Sequence, residues 1–259
     1  MTALYRNPRF ILLLLLSALL IQPVTGAPLD RATLEAAVED PTRDIQDRMR
    51  DEQRQPAAVL EFLQLEPGMQ VLDVYAAGGY YSHILSRAVG LRGTVYAQNA
   101  PRSLNYDQDR SELSEDDALN QAIERGQLLN IQRIDRGIGE MNLPDDSLDL
   151  VLVSQILHDY YNRSPRRAEN VLGVVYRALK PGGVMGIIDH DGREGANNER
   201  LHRMPKARAI EVAQRAGFVL EAESDILSVP EDSLRRSIFD PMLRQSDQFL
   251  LRFRKPPLP

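Results

Sequence analysis

The sequence predicts an α/β fold, a mostly parallel sheet with helices on both faces. Two observations support this prediction. Residues 69–99 are typical of a strand, a tight glycine turn, a helix and a second strand. Short apolar runs and amphipathic helical segments then alternate along the rest of the chain. Because regular alternation requires a crossover between successive strands, we expect the strands to lie parallel to one another.

The first strand–turn–helix unit predicts a place for a nucleoside. The apolar run at residues 71–74 is too short for a helix and suits a buried strand. The small residues 76–79, Ala-Ala-Gly-Gly, follow it, so the backbone can turn sharply and leave room for a ligand. Apolar residues then recur at helical spacing over residues 80–89. A ligand at this turn meets the free N–H groups and the positive end of the helix dipole.

The remaining elements are predicted from apolar patterns and from the Pro and Gly residues between them. In chain order they are a strand at 94–97, a helix at 113–126, strands at 130–134 and 148–154, a turn at 155–162, a helix at 166–179, a strand at 184–189, a helix at 206–216, and strands at 218–221 and 248–253. No Gly/Ser-rich or Pro-rich linker divides them. We therefore expect a single α/β domain over residues 66–259.

A charged segment at residues 29–54, before the sheet, has a helical period. We expect it to form a helix within a cap, residues 27–65, that lies across the binding cleft. Arg43 and Arg54 are candidate donors to an anionic carboxylate of the ligand. In the alternative interpretation these arginines lie on a solvated helix face and pair with the aspartates of the same segment: Asp44, Asp47 and Asp51.

Composition excludes several function classes. The formal net charge is −6 with acids and bases interspersed, and aromatic residues make up only 6% with no Trp, which argues against a nucleic-acid partner. The absence of Cys excludes disulfides, a thiolate nucleophile and Cys-based metal sites. No predicted strand carries the Gly-x-Ser-x-Gly elbow of hydrolases, and the Gly-Lys-Ser/Thr loop of triphosphate-binding proteins is also missing.

The N-terminus predicts export. Arg6 and Arg9 precede a continuous apolar run at residues 10–21, and small residues follow at 24–27. The run has the length of a signal-peptide core and is shorter than the ~20 residues needed to span a bilayer. Residues 1–26 are therefore predicted to be the cleaved signal peptide of a periplasmic or secreted protein, with no stable membrane association after cleavage. The alternative is an uncleaved membrane anchor.

Several motifs, taken in order, resemble those of class I S-adenosylmethionine-dependent methyltransferases. They are GMQVLDV with its glycine turn, LPDDSLDLVLVSQILHD, ALKPGGVMGIID and the terminal QFLLRF. The chain is also similar to a group of exported proteins described as "predicted methyltransferases", through His158-Asp159, Asp189-His190, Leu201-His202-Arg203 and Phe239-Asp240-Pro241. The resemblance covers residues 41–257. It implies a Rossmann-like methyltransferase fold with an antiparallel final strand, S-adenosylmethionine as cofactor, and methyl transfer to a small-molecule acceptor.

The same resemblance implies which residues contact the cofactor: Asp73, Ala76, Ala77, Gly78, Gly79, Asn99 and Ser154. Two departures from the family pattern affect this site. Tyr75 and Ala77 stand where the pattern has glycines, and only Gly79 is kept. Asn99 stands where an acid usually binds both ribose hydroxyls, and an amide lacks the charge that strengthens such hydrogen bonds.

Three of the four histidines fall where an open parallel sheet places its ligands, beyond the carboxyl ends of the strands. His158 or His190 is the candidate general base, which takes a proton from an acceptor hydroxyl or amine during methyl transfer. Asp159, Asp189 or Asp191 is expected to orient the imidazole ring. The catalytic prediction therefore rests on two His-Asp pairs after the fourth and fifth strands.

Three other interpretations use the same part of the chain. The first is a zinc or non-haem iron site, whose candidate ligands are His158, Asp159, His190, Asp191 and His202. The second is a non-catalytic periplasmic protein that binds a small molecule, which would explain a fold of this type outside the cytoplasm. In the third, the histidines have only structural roles, in a turn or beneath a loop. For His202 and Arg203 there are two separate alternatives, a substrate lid and a solvated helix face.

Overall fold

Seven strands form one sheet in the computed structural model, which describes residues 26–101 and 113–257. The strands are β1 Gln70–Val74, β2 Thr94–Asn99, β3 Ile131–Asp135, β4 Leu148–Ser154, β5 Leu179–His190, β6 Val219–Ser224 and β7 Gln248–Arg254. Their order in the sheet is β3-β2-β1-β4-β5-β7-β6. Strands β1 to β5 pair in parallel, whereas β7 runs antiparallel to both β5 and β6. The predicted parallel sheet with an antiparallel final strand is confirmed.

Helices cover both faces of this sheet. They are α1 Arg31–Val38, α2 Ile45–Arg48, α3 Asp51–Arg54, α4 Pro56–Phe62, α5 Tyr80–Val89, α6 Glu115–Gly126, α7 Leu157–Arg163, α8 Pro165–Ala178, α9 Asn198–Leu201 and α10 Lys206–Arg215, with a 3₁₀ turn at Ile138–Glu140. One hydrophobic core joins α8 and α10 to one face of the sheet. A second core joins α1, α4 and α5 to the other face.

The strand pattern explains why there are two cores. Successive side chains of a strand point to opposite faces, so a central strand needs apolar residues at nearly every position. In β1, Val71 belongs to the core beneath α5 and Leu72 belongs to the opposite core. In β4, Leu150 and Val151 divide in the same way. Both faces of the central strands are therefore buried, as the continuous apolar runs predict.

The sequence predicts one helix at residues 29–54 of the N-terminal cap, and the structure differs. Three short helices, α1 to α3, replace it, and the first break falls at Asp40-Pro41. The side chain of Asp40 accepts a hydrogen bond from the backbone N–H of Thr42 at 2.8 Å, which closes a turn in place of a helical bond. Asp44 then caps α2 by accepting from the backbone N–H of Gln46. Proline and two turn-forming aspartates outweigh the helical period of the segment.

A second difference follows β4, where a turn was predicted and the chain forms α7. The buried carboxylate of Asp189 accepts a hydrogen bond from the backbone N–H of His158 in the first turn of this helix, at 2.8 Å. Leu157 packs into the core beside α8. Asp189 of β5 therefore accepts a hydrogen bond from the first turn of α7. The residues around α7 do not themselves indicate this interaction.

The predicted signal peptide lies almost entirely outside the described residues, which begin at residue 26. Within the described ranges, no helix combines the length and the apolar character required to cross a bilayer.

Candidate active site

A cavity of about 730 Å³ opens at the carboxyl ends of β1, β4 and β5. The strand order reverses between β1 and β4, and ligands of open α/β sheets bind at such a switch point. The turn after β1 forms one wall, the segment from Ser154 to Tyr160 forms another, and the N-terminal cap contributes Arg50 and Arg54. The cavity therefore lies where the sequence predicts a ligand.

The turn after β1 contains three alternate residues in the left-handed conformation. The φ angles are 57° at Tyr75, 52° at Ala77 and 91° at Gly79. These are the three positions where the family pattern has glycines, so the backbone path of that pattern is kept although two glycines are absent. A left-handed conformation costs a non-glycine residue about 1–2 kcal/mol. Some interaction of the turn must offset this cost.

Two side-chain amides at the end of β2 hold the turn. Oε1 of Gln98 accepts from the backbone N–H of Tyr75 at 3.2 Å, and its Nε2 donates to the carbonyl of Arg136 at 2.7 Å. Asn99 makes two bonds to Ala77, accepting from its N–H at 2.9 Å and donating to its carbonyl at 3.1 Å. Asn99 has no exposed surface. The structure places Asn99 outside the cavity wall with its amide positioning the turn, and its contact with a cofactor stays a prediction.

The other predicted cofactor residues divide into those that line the cavity and one that does not. Residues with atoms in the cavity wall are Asp73, Ala76, Ala77, Gly78 and Ser154. Gly79 instead begins α5 with a positive φ, and a Cβ atom there would lie 2.8 Å from Cδ1 of Leu119. The glycine is required for the backbone and for the close approach of α6, and it is not part of the cavity wall.

Asp73 is a buried acid in the cavity wall. Its carboxylate accepts a hydrogen bond from Oγ of Ser82 at 2.7 Å, which ties β1 to α5. Burial raises the pKa of Asp73 to about 7, although the bond to Ser82 opposes this shift.

His158, Asp159, His190 and His202 line the same cavity as the small residues of the β1 turn. Nδ1 of His158 lies 2.7 Å from Oδ1 of Asp189, which is fully buried. Burial opposes the charged imidazolium, but the Asp189 carboxylate outweighs it and raises the pKa of His158. An ionised Asp189 requires the proton to sit on Nδ1, so Nε2 of the neutral ring is the atom able to accept a proton.

His190 has a different environment, although it lies close to His158 with 6.0 Å between the ring centroids. Nδ1 of His190 lies 2.7 Å from Oγ of Ser246. Burial lowers the pKa of His190 to about 4, so this imidazole is neutral at pH 7. The two predicted base candidates are thus adjacent, but their pKa values shift in opposite directions.

The structure does not bring Asp191, a predicted catalytic residue, into this cavity, and its side chain bonds to another element. Oδ1 of Asp191 accepts hydrogen bonds from the backbone N–H groups of Gly192 and Lys206, at 2.8 and 3.0 Å. The latter bond lies at the first residue of α10. Asp191 is not among the residues of the cavity wall and has a local capping role.

The two candidate arginines of the cap also have different roles. Arg43 is buried and pairs with Asp51 at 2.7 Å, so it is not available to a ligand. Arg54 lines the cavity and donates to Oε1 of Gln155 at 3.1 Å. Its guanidinium lies 4.5 Å from the centroid of the Tyr80 ring. Within residues 26–101 and 113–257, Arg54 has no carboxylate partner.

Three of the predicted metal ligands come together. The ligand atoms of His158, Asp159 and His202 all lie within 4.8 Å of one another. Oδ1 of Asp159 is 3.5 Å from Nε2 of His158 and 3.6 Å from Nδ1 of His202. The other two predicted ligands do not join this group, because His190 is bonded to Ser246 and Asp191 caps α10.

Gln98 and Glu115 also belong to the site, but no sequence motif identifies them. Gln98 follows an apolar strand like any polar residue at a strand end, and Glu115 is one of three consecutive acids at the start of α6. Only the fold brings Gln98 to the turn and Glu115 into the cavity wall.

Comparison with known proteins supports this architecture. Residues 35–127 match the model of a family described as protein-L-isoaspartate(D-aspartate) O-methyltransferase, less than half of the chain. A search of curated proteins finds no match.

Solved structures similar to this chain cover most of it at low sequence identity. A SAM-dependent methyltransferase from Aquifex aeolicus has a TM-score of 0.57 and 21% identity, covering 88% of this chain and 99% of its own. CrArsM, an arsenic(III) S-adenosylmethionine methyltransferase from Chlamydomonas reinhardtii, has a TM-score of 0.55 and 21% identity, with coverage of 90% and 75%. The [4+2]-cyclase SpnF has a TM-score of 0.61 and 17% identity, with coverage of 85% and 86%. The shared feature is the fold, and the cyclase shows that this fold supports more than one reaction.

Proposed function

We propose that this chain, which has the fold of the class I S-adenosylmethionine-dependent methyltransferases, binds S-adenosylmethionine and transfers its methyl group to a small-molecule acceptor. The observation that carries this proposal is that one cavity joins the small residues of the β1 turn to the imidazole of His158. The proposed cofactor site and the candidate base thus share one cavity. When bound, the cofactor supplies an electrophilic methyl group.

The residues of the β1 turn fit the adenosyl part of this cofactor. Ala76, Ala77 and Gly78 present small side chains to the cavity, so a ligand can approach the backbone closely. Tyr75 also lies in the wall, but it does not close the cavity. The left-handed residues Tyr75 and Ala77 keep the backbone path of the family pattern.

Arg54 fits the carboxylate of the methionine part. It is a cation in the cavity wall, and a planar guanidinium binds a carboxylate through two parallel hydrogen bonds. Burial and the nearby Arg50 lower the pKa of Arg54, which is the direction expected of a cation that lacks an anionic partner. A bound carboxylate would remove this unfavourable arrangement.

In the proposed reaction, His158 serves as the general base for the acceptor. Its Nδ1–H donates to Asp189, which fixes the ring and leaves Nε2 free to take a proton from an acceptor hydroxyl or amine. Asp189 is a positioning residue, because it orients the ring and stabilises the imidazolium that forms. His190 and His202 line the same cavity as His158.

The experiment is calorimetry with S-adenosylhomocysteine and with 5′-methylthioadenosine, which lacks the amino-acid carboxylate. Arg54→Met should weaken binding of S-adenosylhomocysteine about 10- to 100-fold and leave methylthioadenosine unchanged. Arg48→Met, an exposed arginine of the same cap, is the matched control and should change neither affinity. Failure of the unsubstituted protein to bind either nucleoside would refute the proposal.

A second candidate function is a metal-dependent reaction in the same cavity, and the geometry of His158, Asp159 and His202 favours it. Two imidazoles and a carboxylate around one point form a ligand set used by zinc and non-haem iron. Ligands of a tetrahedral zinc ion lie about 3.4 Å apart, close to the 3.5 and 3.6 Å separations from Asp159. Metal analysis of protein purified without an affinity tag tests this candidate. About one ion per chain, lost in His202→Ala, would favour it over the base mechanism.

We also propose that the protein is exported to the periplasm or secreted. The support is the charged start and apolar run within residues 1–26.

A further inference from the structure

Glu115 is an unusual acid in the cavity wall. It is the first residue of α6, and only 7% of its surface is exposed. It lines the cavity together with Ala77, Gly78 and Ala100, the last of which directly follows β2. Among the described residues, its Oε2 atom has no hydrogen-bond partner.

Such burial is unfavourable for the isolated protein. A carboxylate removed from water without a partner loses its hydration and gains nothing in return. Burial accordingly raises the pKa of Glu115 to about 7. The folded protein therefore keeps, at the edge of its cavity, an acceptor that lacks a donor.

Helix capping does not explain this arrangement. Acids are favoured near the N-terminus of a helix, but the next two residues already provide them. Asp117 donates its backbone N–H to Oγ of Ser114 and accepts from that hydroxyl, and Asp116 forms an ion pair with Arg133. Both lie outside the cavity wall. The burial of Glu115 thus requires another explanation, and a ligand donor is the simplest one.

We infer that Glu115 binds the vicinal hydroxyls of the nucleoside sugar. The family pattern gives this role to an acid at the end of β2, where this chain has Asn99. The inference rests on the proposed function, since it assigns one part of the same cofactor site. A vicinal diol offers two donors side by side, and a carboxylate offers two acceptors in matching geometry. Asn99 is less suited to this role, because it has no exposed surface, lies outside the cavity wall and bonds to Ala77 through its amide.

Other acids of the cavity wall are less suited to this role. Asp73 accepts from Ser82 and lies at the base of the turn. Asp159 belongs to the cluster around His158 and His202. Glu115 combines a place beside the β1 turn with an unpartnered oxygen atom.

The test compares S-adenosylhomocysteine with its 2′-deoxy analogue by calorimetry. Glu115→Gln should weaken binding of S-adenosylhomocysteine about 10- to 100-fold, because the charged acceptor is lost. The same substitution should change the affinity for the 2′-deoxy analogue far less. Glu124→Gln, an exposed glutamate of the same helix, is the matched control and should change neither affinity.

Thermal unfolding of the unliganded variant separates a ligand role from a structural one. Because Glu115→Gln removes a buried carboxylate that lacks a partner, its Tm should equal or exceed that of the unsubstituted protein. A lower Tm, with equal losses of affinity for both nucleosides, would overturn the inference in favour of a structural role.

Failures of the inference and of the proposed function have different signatures. If the unsubstituted protein binds S-adenosylhomocysteine and Glu115→Gln binds it equally well, the inference fails and the proposed function stands. If the unsubstituted protein binds no nucleoside, both fail.

Discussion

Tyr75 and Ala77 hold left-handed backbone conformations that glycine would adopt without strain. Their cost is offset by hydrogen bonds from Gln98 and Asn99, which satisfy the backbone groups of the turn. The amide at the end of β2 and the two non-glycine residues of the turn are therefore structurally coupled.

Asn99→Asp tests this coupling. The carboxylate can still accept from the N–H of Ala77, but it faces the carbonyl of Ala77 without a donor, so two oxygen atoms repel each other. We expect the free energy of unfolding to fall by about 1–3 kcal/mol. Denaturant unfolding measures the change. Asn170→Asp, at an exposed position of α8, should stay within about 0.5 kcal/mol, and an equal loss in both variants would contradict the explanation.

The His158–Asp189 pair is the other arrangement that depends on single atoms. Asp189 lies entirely inside the protein, where burial opposes its charge, but its interactions with His158 lower its pKa. The pair thus keeps a carboxylate ionised beneath an imidazole. Such a pair sets both the orientation of the base and the pH at which it is active.

Asp189→Asn should lower the rate of methyl transfer about 100-fold, because the ring loses its fixed orientation. It should also move the acidic limb of the pH–rate profile to lower pH. The sign follows because the carboxylate raises the pKa of His158, and its removal lets the imidazole lose its proton at lower pH. Asp191→Asn, outside the cavity wall, should leave the profile unchanged. A profile that does not move in Asp189→Asn would exclude His158 as the base.

At the scale of elements, a buried polar network joins the N-terminal cap to α5, in addition to the hydrophobic core that α1 and α4 share with α5. The side chain of Arg43 is fully buried and bonds to Asp51 and to the carbonyl of Val38. Asp51 also accepts from the hydroxyl of Tyr80 in α5, at 2.8 Å. The guanidinium groups of Arg50 and Arg54 lie 5.0 and 4.5 Å from the Tyr80 ring centroid. This network sets where Arg50 and Arg54 meet the cavity.

Asp51→Asn should destabilise the protein by about 2–3 kcal/mol, since Arg43 would remain buried without its ionic partner. We expect the cap to become more susceptible to limited proteolysis than the sheet. Thermal unfolding and mass spectrometry of the cleavage products measure both effects. Glu52→Gln, at the neighbouring exposed position, is the control. Equal stability of the two variants would show that the network does not hold the cap.

At the scale of the whole molecule, the strand order brings distant residues to one edge. β1, β4 and β5 are neighbours in the sheet, so their carboxyl ends place Tyr75, Ser154 and His190 around one cavity. His202, which follows α9, and Phe239 also line the cavity, and their rings lie 4.8 Å apart. The cavity is a product of topology, and no single segment contains it.

The proposed export also concerns the whole chain, and a fusion tests it. Residues 1–26 joined to an alkaline phosphatase that folds only in an oxidising compartment should give an active, processed enzyme in the periplasm of a bacterial host. Replacing Leu14 and Leu15 with arginines should abolish that activity, because charges interrupt the apolar core. Activity that persists in an uncleaved, membrane-bound fusion would favour the anchor instead.

The α/β fold, the position of the cavity and several residues of its wall could be predicted from the sequence. Those features follow from periodic apolar burial and from chain order, which local sequence records. Tertiary structure alone decided the roles of individual polar groups, since these depend on partners far along the chain. Asn99 is bonded to the turn, Asp191 caps a helix, and Glu115 faces the cavity. Hydrogen bonding is short-ranged and directional, so only the assembled fold shows which polar side chains are already used and which are left for a ligand.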